Sequence, residues 1–131
     1  MEEKFKIEII SPEKIIFSGE TKIVKMPSYE GDMSILSNHI SIITFLRPGI
    51  VKVENDDGSF KEFFVQDGTV EFFNNVLVLL STSPKNIKDL SNFFLDALSE
   101  DTQNMLGKKD ITDQDRYILN HKLDVIKEIR V

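Results

Sequence analysis

Hydrophobic and polar residues alternate in short segments between Phe5 and Thr82, and each segment ends at residues typical of turns. In residues 5–9, for example, three large apolar side chains are separated by a lysine and a glutamate. Alternation with period two places successive side chains on opposite faces of a strand. Several such segments at regular spacing predict a β-sandwich or flattened barrel.

The turn residues between these segments predict hairpins. Residues 47–49 read Arg-Pro-Gly, which combines a fixed φ with a residue that tolerates positive φ. Residues 55–58 read Asn-Asp-Asp-Gly, and residues 74–75 read Asn-Asn. Both are short connections that favour tight turns between antiparallel strands.

The pattern changes at Ser81–Pro84, after which the apolar residues recur at helical spacing. A first helix is predicted to begin after Asn86 as N-cap and to end at Gly107. A second helix is predicted after Thr112 as N-cap. The predicted apolar face of the first helix comprises Ile87, Leu90, Phe94, Ala97 and Leu98, widened by Phe93, and that of the second comprises Leu119, Leu123 and Ile126, widened by Ile118, Val125 and Ile129.

The predicted fold class is therefore α+β, with an N-terminal β-sandwich or flattened barrel followed by a C-terminal antiparallel hairpin of two helices. We place the sandwich domain at residues 1–84 and the helical domain at residues 85–131. Two short helices bury too little apolar surface to be stable alone. The hairpin must therefore pack on the sandwich, on a partner, or on each in turn.

Composition excludes several classes of function. The chain of 131 residues has no cysteine, which excludes thiol catalysis, cysteine-rich zinc sites and disulfides. Its 22 Asp and Glu against 16 Lys and Arg give a net charge of −6, which argues against a nucleic-acid partner. The charged start at Met1–Phe5 predicts no secretory signal, and the longest apolar run, residues 76–80, is too short for a transmembrane helix.

Residues 28–39 combine two carboxylates, a glycine, four small polar residues and a histidine, and they are predicted to be a solvent-exposed loop between strands. The stretch contains Glu30, Asp32 and His39. In a chain otherwise patterned for burial, it is the first candidate for a functional contact.

No catalytic, cofactor-binding or metal-binding pattern is present in the sequence. The six glycines are at least nine residues apart, so there is no phosphate-binding glycine loop. His39 and His121 lie in different modules and lack the spacing of paired metal ligands. The phenylalanine pairs at residues 72–73 and 93–94 are interpreted as core or docking surface. The sequence thus predicts a binding or structural module and not an enzyme.

In order and spacing, these features resemble the epsilon subunit family of F-type ATP synthases, the bacterial counterpart of the mitochondrial delta subunit. The resemblance spans the whole chain. It rests on Phe17-Ser18-Gly19, Glu30-Gly31-Asp32-Met33, Ile35-Leu36, Asn38-His39, Pro48-Gly49, and Gly68 with Val70.

The chain departs from the family pattern in two places. Ser34 and Ser37 stand where the family usually has glycine and proline, which predicts a differently shaped or more mobile loop. Some bacterial members bind ATP through an aspartate and an arginine at the start of the first helix. Lys88 and Ser91 occupy those positions here, so nucleotide binding is not expected.

The resemblance implies a non-catalytic rotor subunit of a proton-translocating complex, peripheral to the cytoplasmic face of the bacterial inner membrane. Its sandwich would bind the gamma subunit and stand on the c-ring, and its helices would reach the catalytic head and restrain ATP hydrolysis. The implied contact with ring or gamma comprises Glu30, Gly31, Asp32 and His39. An Asp32→Lys substitution is expected to weaken ring binding without unfolding the sandwich.

The alternative is a free-standing acidic β-sandwich that binds proteins and has no relation to ATP synthase, with the helices as a fixed cap. Co-purification separates the two hypotheses, since only a rotor subunit is expected to recover gamma and a membrane ATPase.

Overall fold

The computed structural model describes residues 3–130. Met1, Glu2 and Val131, which the sequence predictions include, lie outside this range. The strands are β1 (Phe5–Ile10), β2 (Ile15–Thr21), β3 (Ile23–Ser28), β4 (Gly31–Leu36), β5 (Ile42–Leu46), β6 (Gly49–Glu54), β7 (Phe60–Val65), β8 (Gly68–Phe73), β9 (Val76–Leu80) and β10 (Lys85–Asn86). A 3-10 turn (Ile87–Asp89) precedes the helices α1 (Asn92–Leu106) and α2 (Asp113–Arg130).

The strands form one continuous sheet that wraps around a single core. Along the sheet the strand order is β10-β7-β6-β3-β5-β8-β9-β1-β2, and β4 pairs with β3 outside this path. The β1–β9 pair is parallel, whereas the other pairs are antiparallel. The predicted sandwich or flattened barrel followed by two helices is confirmed.

The core follows from the alternation along the strands. Phe5, Ile7 and Ile9 of β1 point inwards and are buried. The ring of Phe5 meets the ring of Phe72 edge-on, with 5.3 Å between centroids. At the start of β6, a side chain on Gly49 would place its Cβ 2.5 Å from Cγ of Pro27, so only glycine lets these two strands approach so closely. Burial of apolar surface in this core is the main stabilising term of the fold.

The first helix begins later than the sequence predicted. Asn86 belongs to β10, which pairs with β7, and its side chain accepts a 3.0 Å hydrogen bond from the Lys88 amide at the 3-10 turn. Leu90 is extended, with φ −82° and ψ 129°, so the chain straightens again before α1. Ser91 is the actual N-cap, accepting from the Phe94 amide at 3.1 Å. The predicted N-cap at Asn86 is therefore wrong.

The shifted start also changes which residues of α1 are buried. Leu95 and Thr102 are the buried side chains. Phe93, predicted to widen the apolar face, is 84% exposed, and Ala97 is also exposed. The predicted face was wrong at these two positions because the residues before Ser91 do not share the helical periodicity.

The second helix begins and packs as predicted. Thr112 and Asp115 exchange hydrogen bonds between side chain and backbone, at 3.0 and 3.3 Å, which caps α2. The helix buries Leu119, Val125 and Ile126, and lies against α1 and β6. Arg130 pairs with Asp96 across the two helices. In this state the hairpin rests on the sandwich, whereas the division into domains 1–84 and 85–131 stays a prediction.

Candidate functional site

Residues 28–39 are not the loop that the sequence predicted, because most of them form a β-hairpin. Strand β4 runs antiparallel to β3 along its whole length, and Ser28 faces Gly31 across a turn made by Tyr29 and Glu30. Gly31 has a φ of 128°, a conformation that favours glycine at the turn. The missed signal was the alternation of residues 32–35, Asp-Met-Ser-Ile, in which the methionine and isoleucine point inwards.

At the β3–β4 turn, Arg47 forms hydrogen bonds to both strands of the β-hairpin. The Arg47 guanidinium donates to the Ser28 carbonyl at 3.2 Å and to Oδ1 of Asp32 at 3.0 Å. The Arg47 side chain is only 15% exposed, whereas that of Asp32 is 84% exposed. The Glu30 amide donates to Oγ of Ser28 at 3.2 Å. Glu30, Gly31 and Asp32 therefore lie together on a braced turn with their carboxylates in solvent.

His39 lies at the opposite end of β4. A strand of six residues spans about 20 Å, so the histidine is far from the turn. Its amide donates to the Leu36 carbonyl at 3.1 Å, and its ring meets the Phe72 ring edge-on at 6.0 Å. The four predicted site residues thus fall in two places, with His39 anchored to the sandwich end and separate from the other three.

Two asparagines fix the backbone beside His39. The Asn38 amide donates to Oδ1 of Asn75 at 2.7 Å, and Nδ2 of Asn75 returns a 3.0 Å bond to Oδ1 of Asn38. Glu3 accepts a further 3.0 Å bond from Asn38. Asn38 has a φ of 65°, and Asn75 one of 59°, conformations that asparagine tolerates better than most residues. The end of the β3–β4 hairpin that carries Asn38 is consequently joined to the β8–β9 turn by hydrogen bonds.

A further candidate binding surface was not singled out from the sequence. On the outer side of β5, β8 and β9, four large apolar side chains share one face although they are at least half exposed. They are Ile43 at 65%, Phe45 at 59%, Phe73 at 63% and Leu80 at 50%. We call these four residues the outer apolar face. A groove of about 1130 Å³ runs over part of it, from Ile10 to Gln114 at the start of α2.

A signal for this face was present in the strands that carry it. Residues 42–46 and 76–80 are almost entirely apolar, whereas a strand with one solvent-facing side normally alternates. The phenylalanine pair at residues 72–73 shows the same division, because Phe72 is 1% exposed and Phe73 lies on the outer apolar face. Glu71 also lies on this face, beside Ile43 in the neighbouring strand, and is exposed. Large exposed apolar side chains grouped on one face mark protein interaction sites.

Metal-ligand groups and membrane-spanning helices are two further features to consider in the described residues. Within residues 3–130, no three His, Asp or Glu side chains are arranged to hold a metal ion. Neither helix in that range has the length and apolar content needed to cross a membrane.

Comparison with known proteins identifies the relatives of this chain. Residues 4–84 match the family model described as ATP synthase, Delta/Epsilon chain, beta-sandwich domain. The ATP synthase epsilon chain of Pelagibacter ubique is 44% identical over 131 residues, covering 98% of this chain and 99% of that protein. The epsilon chain of Parvibaculum lavamentivorans is 35% identical, covering 99% and 98%.

Solved structures support the fold over the same length. A chain of the Euglena gracilis mitochondrial ATP synthase, in an assembly of OSCP, F1 and c-ring, matches with a TM-score of 0.74 at 15% identity, covering 97% of this chain and 79% of its own. A chain from the central stalk and c-ring of the Tetrahymena thermophila mitochondrial enzyme matches with a TM-score of 0.63 at 13% identity, covering 99% and 98%. Sequence and fold together lead to one conclusion, that this chain belongs to the ATP synthase epsilon chain family.

Proposed function

We propose that this chain is a non-catalytic rotor subunit of a proton-translocating ATP synthase, held at the cytoplasmic face of the bacterial inner membrane through its complex. The observation that carries the proposal is the outer apolar face, which an isolated chain leaves in water. The two solved relatives come from assemblies described as containing a c-ring, with F1 in one and the central stalk in the other. Membership of the epsilon family sets aside the alternative of a module unrelated to ATP synthase.

The outer apolar face is proposed to bind the gamma subunit. Full burial of a large apolar side chain contributes roughly 1.5–3 kcal/mol, and these four residues, which are half to two-thirds exposed, each offer the corresponding part of that free energy to a partner. An exposed ion pair contributes about 0–1 kcal/mol. Binding energy is therefore assigned to the apolar face, and the acidic turn is assigned to orientation.

Substituting Phe45 by aspartate is expected to weaken binding of purified gamma at least about tenfold, because a carboxylate would have to lose its water in the interface. Isothermal titration calorimetry measures this directly. The matched control is Phe93→Asp, which places the same charge at another exposed phenylalanine, 84% exposed against 59% for Phe45, outside the outer apolar face. Equal affinities for Phe45→Asp and the unmodified chain would contradict the assignment of this face.

The turn at Glu30, Gly31 and Asp32 is proposed to meet the c-ring, and His39 is proposed to contact ring or gamma from the other end of β4. The Asp32 carboxylate faces solvent while Arg47 orients it. Lysine at position 32 would place an ammonium group beside that guanidinium, so asparagine is the cleaner substitution. It removes the charge and keeps the size of the side chain.

Asp32→Asn is expected to weaken attachment to the ring by up to about fivefold, which lowers ATP-driven proton pumping in inverted membrane vesicles. The matched control is Asp110→Asn, an exposed carboxylate between the two helices. Pumping per ATP hydrolysed is the quantity to compare. If the two variants pump equally well, the turn at Asp32 does not contact the ring.

The helical hairpin is proposed to restrain ATP hydrolysis by leaving the sandwich and reaching the catalytic head. Two features support a movable element. The hairpin is short, and its helices bury few side chains, namely Leu95 and Thr102 in α1 and Leu119, Val125 and Ile126 in α2. Segments with few buried contacts are those that open at low cost.

A further inference from the structure

The turn between β3 and β4 touches helix α2 through an aromatic contact. The ring of Tyr29 lies nearly parallel to the ring of Tyr117, with 6.3 Å between centroids and 27° between planes. One helical turn further on, His121 meets Tyr117 edge-on at 4.4 Å. Tyr117 and His121 are four residues apart, so both lie on the face of α2 that is turned towards the sandwich. We call these three rings the aromatic stack.

Beyond the aromatic stack, α2 and the sandwich are loosely packed. A groove of about 320 Å³ lies between them, lined on the helix by His121, Asp124, Val125 and Glu128. Its sandwich side includes Asp32 and Arg47. A solvent-filled groove of this size contributes less attraction than a close-packed interface. Docking of α2 on the sandwich therefore depends on a few contacts.

Lys122 of α2 lies near carboxylates on both the sandwich and α1. Burial lowers the pKa of Lys122, although Asp67 of the sandwich and Asp101 of α1 raise it. The Asp67 carboxylate is stabilised in its charged form. Burial alone raises its pKa, but hydrogen bonds from Thr82 and Ser81, helped by Lys122, hold the pKa below its usual range.

Tyr29 is held on the sandwich independently of the helix. Its amide donates to the Phe45 carbonyl at 3.0 Å, and the turn it belongs to is braced by Arg47. Burial of its phenol, with smaller contributions from Tyr117 of α2 and from Asp67, raises the Tyr29 pKa. The sandwich thus presents Tyr29 in a fixed position, to which α2 can dock and from which it can dissociate.

We propose that the aromatic stack is a latch that sets the fraction of molecules in which the helical hairpin is docked on the sandwich, with Tyr117 as the residue that closes it. The effect of the latch on ATP hydrolysis rests on the proposed function. Release of the hairpin changes hydrolysis only if the hairpin restrains the catalytic head. The latch itself is a property of the isolated chain. In this proposal Tyr29 and Tyr117 position the helical hairpin on the sandwich.

The chain contains no cysteine, so two introduced thiols can report the distance from hairpin to sandwich. Glu20→Cys on β2 and Lys127→Cys on α2 are both exposed and lie outside the aromatic stack. Spin labels on these thiols give a distance distribution by pulsed electron resonance. Adding Tyr117→Ala is expected to move molecules to longer distances, lowering the docked-to-released ratio roughly three- to tenfold.

Two comparisons make the result specific. Arg116→Ala, at the neighbouring exposed position of α2, is expected to leave the distances unchanged. Tyr29→Ala removes the aromatic ring from the sandwich side and is expected to act like Tyr117→Ala. Because alanine favours helix formation, helix melting does not explain a release caused by Tyr117→Ala.

An unchanged distance distribution in both tyrosine variants, or equal release by Arg116→Ala, would overturn the latch. Hydrolysis by the assembled complex is then read separately. Release in the labelled chain without any change in hydrolysis would leave the latch standing and contradict the restraint assigned to the hairpin under the proposed function.

Discussion

Replacing Phe72 by alanine is expected to lower the free energy of unfolding by about 3–5 kcal/mol, a large part of the roughly 5–15 kcal/mol available to a domain. The side chain is 1% exposed and contacts the rings of Phe5 and His39. Its removal deletes buried apolar surface and leaves a cavity where β1, β5 and β8 meet. Urea unfolding followed by circular dichroism measures the change.

The neighbouring residue provides a matched control. Phe73→Ala removes the same group from a site that is 63% exposed, so we expect a change in stability below about 1 kcal/mol. The functional order is expected to be reversed, because Phe73 lies on the outer apolar face and its loss should weaken gamma binding. Similar unfolding midpoints for the two variants would mean that the inner and outer faces of β8 have been assigned wrongly.

Deleting residues 91–131 is expected to leave the chain assembled in the complex and to raise ATP hydrolysis severalfold. The reason lies in where the core is. The buried apolar cluster runs from Phe5 to Leu79, without any residue of α1 or α2. A cut after Leu90 also keeps β10 and the 3-10 turn, so the β7 edge remains paired.

The deletion is measured as ATP hydrolysis by purified membranes, normalised to the amount of the chain retained. A full-length variant carrying Arg116→Ala serves as the control for altered helix surface. Retained assembly with unchanged hydrolysis would refute the restraint by the hairpin. Loss of the truncated chain from the complex would instead refute the proposal that the sandwich binds gamma and ring by itself.

The sequence was a good guide to the sandwich because burial there follows local alternation. Residues 5–9 alternate with period two, and the apolar residues Phe5, Ile7 and Ile9 are buried as that alternation predicts. The hairpin turns at residues 55–58 and 74–75 were also predicted, since asparagine and glycine adopt the required positive φ, as Gly58, Asn74 and Asn75 do. Capping chemistry likewise located the start of α2 at Thr112.

Other features depend on contacts that local pattern does not contain. Strand β4 was read as a loop because Asp32 and Ser34 occupy its outward positions, where polarity is compatible with either structure. The start of α1 was misplaced because pairing of Lys85 and Asn86 with β7 competes with helix formation. The separation of His39 from Glu30, and the meeting of Tyr29 with Tyr117, follow only from the three-dimensional fold.

The candidate site also divides into residues that the local sequence predicts and residues that only the folded structure brings together. Glu30, Gly31 and Asp32 were found because they are adjacent in sequence and match a family pattern. The outer apolar face was missed because its four residues come from three strands, and their exposure depends on what the rest of the chain leaves uncovered. Surface exposure is a property of the folded chain, which is why apolar runs alone did not distinguish this face from the core.

The central claim, that this chain is a rotor subunit, is tested most directly by affinity purification of the tagged full-length chain from detergent-solubilised membranes. We predict recovery of the gamma subunit, the ring subunit and the catalytic subunits in fixed ratios, together with ATPase activity. A Phe45→Asp chain should recover markedly less of all of them, and a Phe93→Asp chain should recover the full set. Recovery of the unmodified chain without gamma and without ATPase activity would contradict the account.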